Sequence, residues 1–145
     1  GYESSDDQVA AFAQLGQLIE ERDLRLALVT IPVRSQDQAD PGETVLVANA
    51  RQFAAGHAAR VVFLDQREVF GNTFAIDING DGIPERKRDG VHLCPTGALA
   101  ITLWLADQLQ VHYEGITLPT GSDWITGDWR VDGRYDDPPG ACAEL

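Results

Sequence analysis

Leu26-Ala27-Leu28-Val29-Thr30-Ile31-Pro32 is a continuous apolar run stopped by a proline, and Arg60-Val61-Val62-Phe63-Leu64-Asp65 repeats the pattern further along the chain. Short apolar runs without alternation are the pattern of strands buried on both faces, as in parallel sheets covered by helices. Helical periodicity surrounds them. Residues 6–22 carry Val9, Phe12, Leu15, Leu18 and Ile19 on one face, with Asp6 and Asp7 near the positive end of the helix dipole. A polar, turn-rich segment from Arg34 to Gly42 leads into a second helical stretch, Glu43 to His57, whose expected inner face is Val45, Leu46, Ala50 and Phe53. The long stretch from Gln66 to Leu93 has no regular period, and a third helix is expected from Pro95 to about Gln108, with Leu99, Leu103, Trp104 and Leu109 on or near one face.

This alternation predicts an α/β fold: part of a three-layer sandwich with helices on both sides of a parallel sheet, spanning residues 1–112. Residues 113–145, with Trp124, Trp129, Tyr135, Pro138, Pro139 and Gly140, lose the period and are expected to form an irregular tail packed on that body. In such folds ligands bind beyond the carboxyl ends of the strands. The loop preceding Pro95 is expected at that edge.

A chain of 145 residues, 43% apolar and 23% charged, is that of an ordinary globular domain, so disorder is not the default. Its net charge of -12 repels phosphates and anionic lipid head groups, which argues against a nucleic-acid partner. The longest apolar runs, Leu26 to Thr30 and Leu99 to Ala106, are too short to cross a bilayer, so the chain is not expected to be transmembrane itself. With no methionine and glycine first, it reads as a mature, cleaved or excised segment.

Cys94 and Cys142 are the two cysteines. An even pair admits a disulfide, though two buried thiols of a cytosolic protein give the same count. Cys94 stands immediately before Pro95, where Ser, Thr, Asp or Asn would ordinarily cap the helix. A poor capping residue there favours the disulfide, and with it an oxidising, secreted or extracytoplasmic location.

The chemistry-bearing stretch is Arg88-Asp89-Gly90-Val91-His92-Leu93-Cys94-Pro95-Thr96-Gly97. A carboxylate three residues from an imidazole can hold it in one tautomer, as a general base needs in order to take a proton from a hydroxyl nucleophile. Asp-Gly is also a common solvated turn, so the pair gains its weight from context. No Gly-Asp-Ser or Gly-x-Ser-x-Gly segment occurs, and Ser4, Ser5, Ser35 and Ser122 sit in no strand-to-helix elbow. His57 and His112 form no ligand spacing with His92, which leaves no zinc pattern.

These residues resemble a known family. Asp89 to Gly97, after an α/β pattern and before an apolar helix, looks like the last motif block of the SGNH (GDSL-like) esterase superfamily. The ending, Trp129-Arg130 and Arg134-Tyr135-Asp136-Asp137-Pro138-Pro139-Gly140-Ala141-Cys142, is similar to the tails of extracytoplasmic SGNH domains associated with membrane O-acyltransferases. The resemblance implies a flavodoxin-like sandwich of which this chain is the C-terminal portion, His92 as general base and Asp89 as its orienting acid. It further implies a serine nucleophile supplied by an N-terminal half or a partner, no cofactor for the chemistry, and an O-acylated glycan or lipid as substrate. The family's serine and oxyanion blocks have no counterpart in these residues.

Just upstream, Asp77, Asn79, Asp81, Ile83 and Glu85 occupy alternate positions of Asp77-Ile78-Asn79-Gly80-Asp81-Gly82-Ile83-Pro84-Glu85, with Gly82 at the sixth. This is the first half of an EF-hand-like calcium loop, in which oxygen ligands converge on one hard cation. Arg88 stands where the bidentate Glu would close such a loop, so Glu85 is the candidate substitute. The competing reading is a cluster of Asn-Gly and Asp-Gly turns with solvated acids. Two functions follow as expectations: a serine esterase or O-acyltransferase domain whose nucleophile lies elsewhere, or a non-catalytic, calcium-stabilised binding or structural module.

Overall fold

The structure, a computed structural model, describes residues 5–35, 44–118 and 142. The body of the expected tail, 119–141, and the greater part of the Arg34 to Gly42 segment lie outside the described residues. Element order is α1 (Ser5–Glu21), β1 (Leu26–Val29), α2 (Val45–Gly56), β2 (Val61–Leu64), α3 (Arg67–Phe70) and α4 (Pro95–His112). The chain divides into two compact units, Gly1–Ile31 with Gly42–Asp65, and Pro32–Pro41 with Gln66–Leu145.

The first unit is mixed helix and strand around a two-stranded parallel sheet, with Leu26 opposite Val61 and Val29 opposite Leu64. Leu26 N–H donates to Arg60 C=O at 2.9 Å and Thr30 N–H to Leu64 C=O at 3.0 Å, which extends the ladder past both strand ends. Its core is Ile19, Phe53, Ala54 and Val61, lined by Phe12, Leu15, Leu26, Leu28 and Phe63. Phe12 stacks on Phe53 with ring centroids 5.1 Å apart. Burying side chains of this size stabilises by roughly 1.5–3 kcal/mol each. At the ends of the strands the carboxylate of Asp65 accepts from Thr30 Oγ1 at 3.2 Å and pairs with Arg51 Nη2 at 3.0 Å.

Several expected faces differ. β1 is not buried on both sides: Val29 is 42% and Ile31 68% exposed, because the described sheet has only one neighbour for it. Thr44 caps α2 by accepting Val47 N–H on its hydroxyl at 3.3 Å, so the helix starts at Val45 and turns Phe53 and Ala54 inward. Val45 and Leu46, expected inside, are exposed in that first turn, and on α1 Val9 and Leu18 are exposed while Ile19 is buried.

In the second unit α4 runs to His112, longer than its periodicity suggests, and buries Gly97, Ile101 and Ala106. Leu103, expected inside, is at its exposed margin. The stretch Gln66 to Leu93 is not wholly irregular: it holds the one-turn helix α3 and an antiparallel bridge between Arg86 and Leu93. Trp104 Nε1 donates to Glu68 Oε2 at 3.3 Å, joining α3 to α4. Cys94 and Cys142 form a disulfide, with Cα atoms 5.6 Å apart.

The first turn of α4 is locked onto the chain that precedes it. Cys94 caps the helix by backbone only, and its N–H donates to Glu85 C=O at 2.9 Å. Thr96 Oγ1 donates to Pro84 C=O at 2.6 Å. A Cβ on Gly97 would overlap the Glu85 carbonyl oxygen, so only glycine permits this approach. Gly97→Ala is therefore expected to destabilise by about 1–3 kcal/mol through overpacking. Gly56→Ala, whose added Cβ meets nothing, is expected to stabilise by about 0.4–1 kcal/mol. Urea denaturation reads both, and equal changes in the two variants would contradict the packing at Gly97.

Candidate functional site

The site is built on a short hairpin. Arg86 bridges Leu93, Lys87 N–H donates to His92 C=O at 2.9 Å, and Gly90 N–H closes back on Lys87 C=O at 3.1 Å. Asp89 to His92 form the tip, and Gly90 takes a φ of +83° that suits glycine. A strap from the start of the same unit lies against it, with Ser35 N–H donating to Gly90 C=O at 3.0 Å.

At the tip the two oxygens of Asp89 divide their tasks. Oδ1 accepts the backbone N–H groups of Val91 at 2.9 Å and His92 at 3.0 Å, an arrangement that folds the turn. Oδ2 lies 2.7 Å from His92 Nδ1. Burial opposes ionisation of Asp89, but the hydrogen bonds from the His92 ring and from the Val91 and His92 backbone outweigh it and lower its pKa from 3.8 to about 2. The His92 side chain is 71% exposed, and among the described residues its ring has no second hydrogen-bond partner. With an ionised carboxylate at Nδ1, the neutral ring carries its proton there, which leaves the Nε2 lone pair for another donor. Such a ring can accept a proton from a hydroxyl and return it.

The second expected cluster lies on the loop leading into this hairpin. Carboxylate oxygens of Asp77, Asp81 and Glu85 all lie within 4.8 Å of one another. Asp77 Oδ1 accepts Gly80 N–H at 2.6 Å and Oδ2 accepts Gly82 N–H at 2.8 Å, while Asp81 Oδ1 accepts Ile83 N–H at 2.9 Å. The Gly82 contact leads the hydrogen bonds that hold the Asp77 carboxyl below its usual range, against the opposing effect of burial. Glu85 is buried and accepts Ile78 N–H on Oε2 at 2.7 Å and Asn79 Nδ2 on Oε1 at 2.8 Å. Asn79 and Ile83 thus appear here as donors to carboxylates.

The donor set fits a hard divalent cation. Oxygens on opposite sides of a calcium ion stand about 5 Å apart, twice the usual 2.3–2.6 Å bond, so three oxygens at the observed spacing can share one ion. Each also keeps a lone pair beyond its N–H contact, and three close anionic groups repel one another without a cation between them.

Sequence reasoning missed Arg86 and Lys87. Both are buried, although a run of basic residues on a polar loop reads as a solvated face. The signal for Arg86 lies in Phe70 and Phe74, whose rings face its guanidinium at 5.6 and 4.9 Å, and no local spacing announces that contact.

Because the folded Asp89 carboxyl binds its proton more weakly than the unfolded one, its contribution to stability is present above about pH 4 and is lost as the pH falls toward about 2. Thermal melting of the chain and of Asp89→Asn should therefore differ at about pH 6 and converge at about pH 2. A difference independent of pH would contradict the assigned hydrogen bonds.

Among the described residues no helix is long and apolar enough to cross a membrane. Comparison with protein-family models, with curated proteins and with solved structures gives no significant match.

Proposed function

We propose that this chain is the base-bearing portion of a serine ester hydrolase or O-acyltransferase of the SGNH kind, acting on an O-acylated glycan or lipid. The observation that carries the reading is the 2.7 Å contact between Asp89 Oδ2 and His92 Nδ1 on an imidazole that is otherwise exposed. In this reading His92 takes the proton of a serine hydroxyl as it attacks the acyl carbon, and the ester's alkoxide leaves with that proton. Asp89 remains ionised and stabilises the imidazolium that forms between the two steps. The serine and the oxyanion donors come from an N-terminal half or a partner such as a membrane acyltransferase region, since no Gly-Asp-Ser segment occurs in these residues. The β1–α2–β2 unit is then one part of a three-layer, flavodoxin-like sandwich, and the exposed Val29 and Ile31 belong to the surface that the rest of the sheet covers.

The test is the complete reading frame together with ester turnover. A Gly-Asp-Ser segment is expected upstream or in a partner, and in that complete assembly His92→Ala should lower hydrolysis of an aryl acetate by on the order of 10²–10⁴-fold. A complete assembly without such a serine, or one whose turnover survives His92→Ala, overturns the reading.

A second reading is favoured by the carboxylates at 4.8 Å: Asp77, Asp81 and Glu85, with Asn79 and Ile83, hold a structural calcium. The ion supplies no chemistry to acyl transfer. It braces the loop entering the hairpin, either beneath a catalytic His92 or within a module that binds without catalysis. Calcium at a hundredfold excess over its Kd should stabilise by about 2.7 kcal/mol, seen as a melting temperature raised over that in chelator. Asp81→Asn should weaken that response, and identical melting with calcium and with chelator rejects the site.

The Cys94 to Cys142 disulfide supports an oxidising, secreted or extracytoplasmic setting for either reading. Alkylation before reduction should find no free thiol by mass in the native protein. Two alkylated cysteines would withdraw that setting.

A further inference from the structure

Arg86 is the largest fully buried side chain among the described residues, at 1% exposure. Its guanidinium donates from Nη1 to Val33 C=O at 3.0 Å and from Nη2 to Val91 C=O at 3.3 Å. The faces of Phe74 and Phe70 also line the guanidinium, the Asp89 carboxylate is near enough to favour its charge, and among the described residues its Nε is buried with no hydrogen-bond partner. Burial disfavours the Arg86 cation, and the carbonyls, the aromatic rings and the nearby Asp89 charge return only part of that cost. The guanidinium is therefore better explained by what only it can do, which is to grip two carbonyls at once.

The second of those carbonyls lies inside the Asp89 to His92 turn. Val91 C=O and His92 N–H are the two ends of one planar peptide, so fixing one end fixes the direction of the other. Arg86 holds the carbonyl end, and the amide end donates to Asp89 Oδ1 at 3.0 Å. The first carbonyl belongs to the strap, where Ser35 N–H donates to Gly90 C=O. One buried side chain thus ties the strap, the turn and the Asp89 carboxylate into a single arrangement.

We propose that Arg86 is a positioning residue for the Asp89–His92 pair, orienting the Val91–His92 peptide so that Asp89 faces both the backbone and the ring. This rests on reading those two residues as the base and its orienting acid. Its test reads the ring itself and needs no turnover, so it can fail while the esterase reading stands, and the reverse.

The experiment is nitrogen-resolved NMR of the His92 ring in the folded chain, with His57 and His112 as internal references. In Arg86→Met, which keeps apolar bulk against Phe70 and Phe74, the ring is expected to lose its bias toward the Nδ1–H tautomer and move toward the mixture of free histidine, as in Asp89→Asn. Arg86→Lys keeps the charge without the two-pronged grip, and the same loss is expected there. Should the Met variant not fold, the Lys variant and the unsubstituted chain carry the test. In the latter, the Arg86 guanidinium protons are expected to be protected from exchange and to show contacts to Val33 and Val91. A folded variant whose His92 signals match the unsubstituted chain overturns the proposal. So does an unprotected Arg86 guanidinium in that chain.

Discussion

A single carboxylate organises the hairpin tip of this chain. Asp89 folds its own turn by accepting two backbone N–H groups on one oxygen and holds the His92 ring with the other. Neither task is separable from the other, because the backbone that delivers His92 is the backbone Asp89 bonds. Charge-assisted hydrogen bonds are worth roughly twice neutral ones, which is why a tip so close to solvent can hold one geometry. The hairpin below it, closed by Arg86 opposite Leu93 and continued by Cys94 N–H on Glu85 C=O, passes that geometry into the first turn of α4.

The strand pattern was the most legible part of the sequence. Two unbroken apolar runs announced two parallel strands, and the pairing of Leu26 with Val61 and Val29 with Leu64 follows that reading. What the pattern overstated was burial, because hydrophobic content reports what a strand prefers, while its neighbours decide what it receives. Val29 and Ile31 are as apolar as the pattern requires and still exposed. Helix faces failed in the same way at their ends: Val45 and Leu46 match the period of α2 but sit in its first turn, beyond the reach of the core around Phe53.

At the site, the short-range contacts were legible and the long-range ones were not. Asp89 and His92 stand three apart across an Asp-Gly turn, and with the context of the following helix start they could be considered together, since the turn itself brings the groups together. The carboxylates of Asp77, Asp81 and Glu85 were equally local. Arg86 could not be read, because its burial depends on Phe70, Phe74 and the carbonyl of Val33, and sequence spacing carries no trace of that enclosure. The hairpin between Arg86 and Leu93 was hidden for a related reason. It is a single bridge, too short to have a period, and its closure relies on backbone bonds that any residue can make.

The proposed chemistry depends on the state of one imidazole in the unsubstituted protein. Nitrogen-15 correlation spectra of the neutral His92 ring report which nitrogen carries the proton. The expected result is a proton on Nδ1, held by Asp89, and a bare Nε2. A ring dominated by the Nε2–H tautomer, as free histidine is, would contradict it.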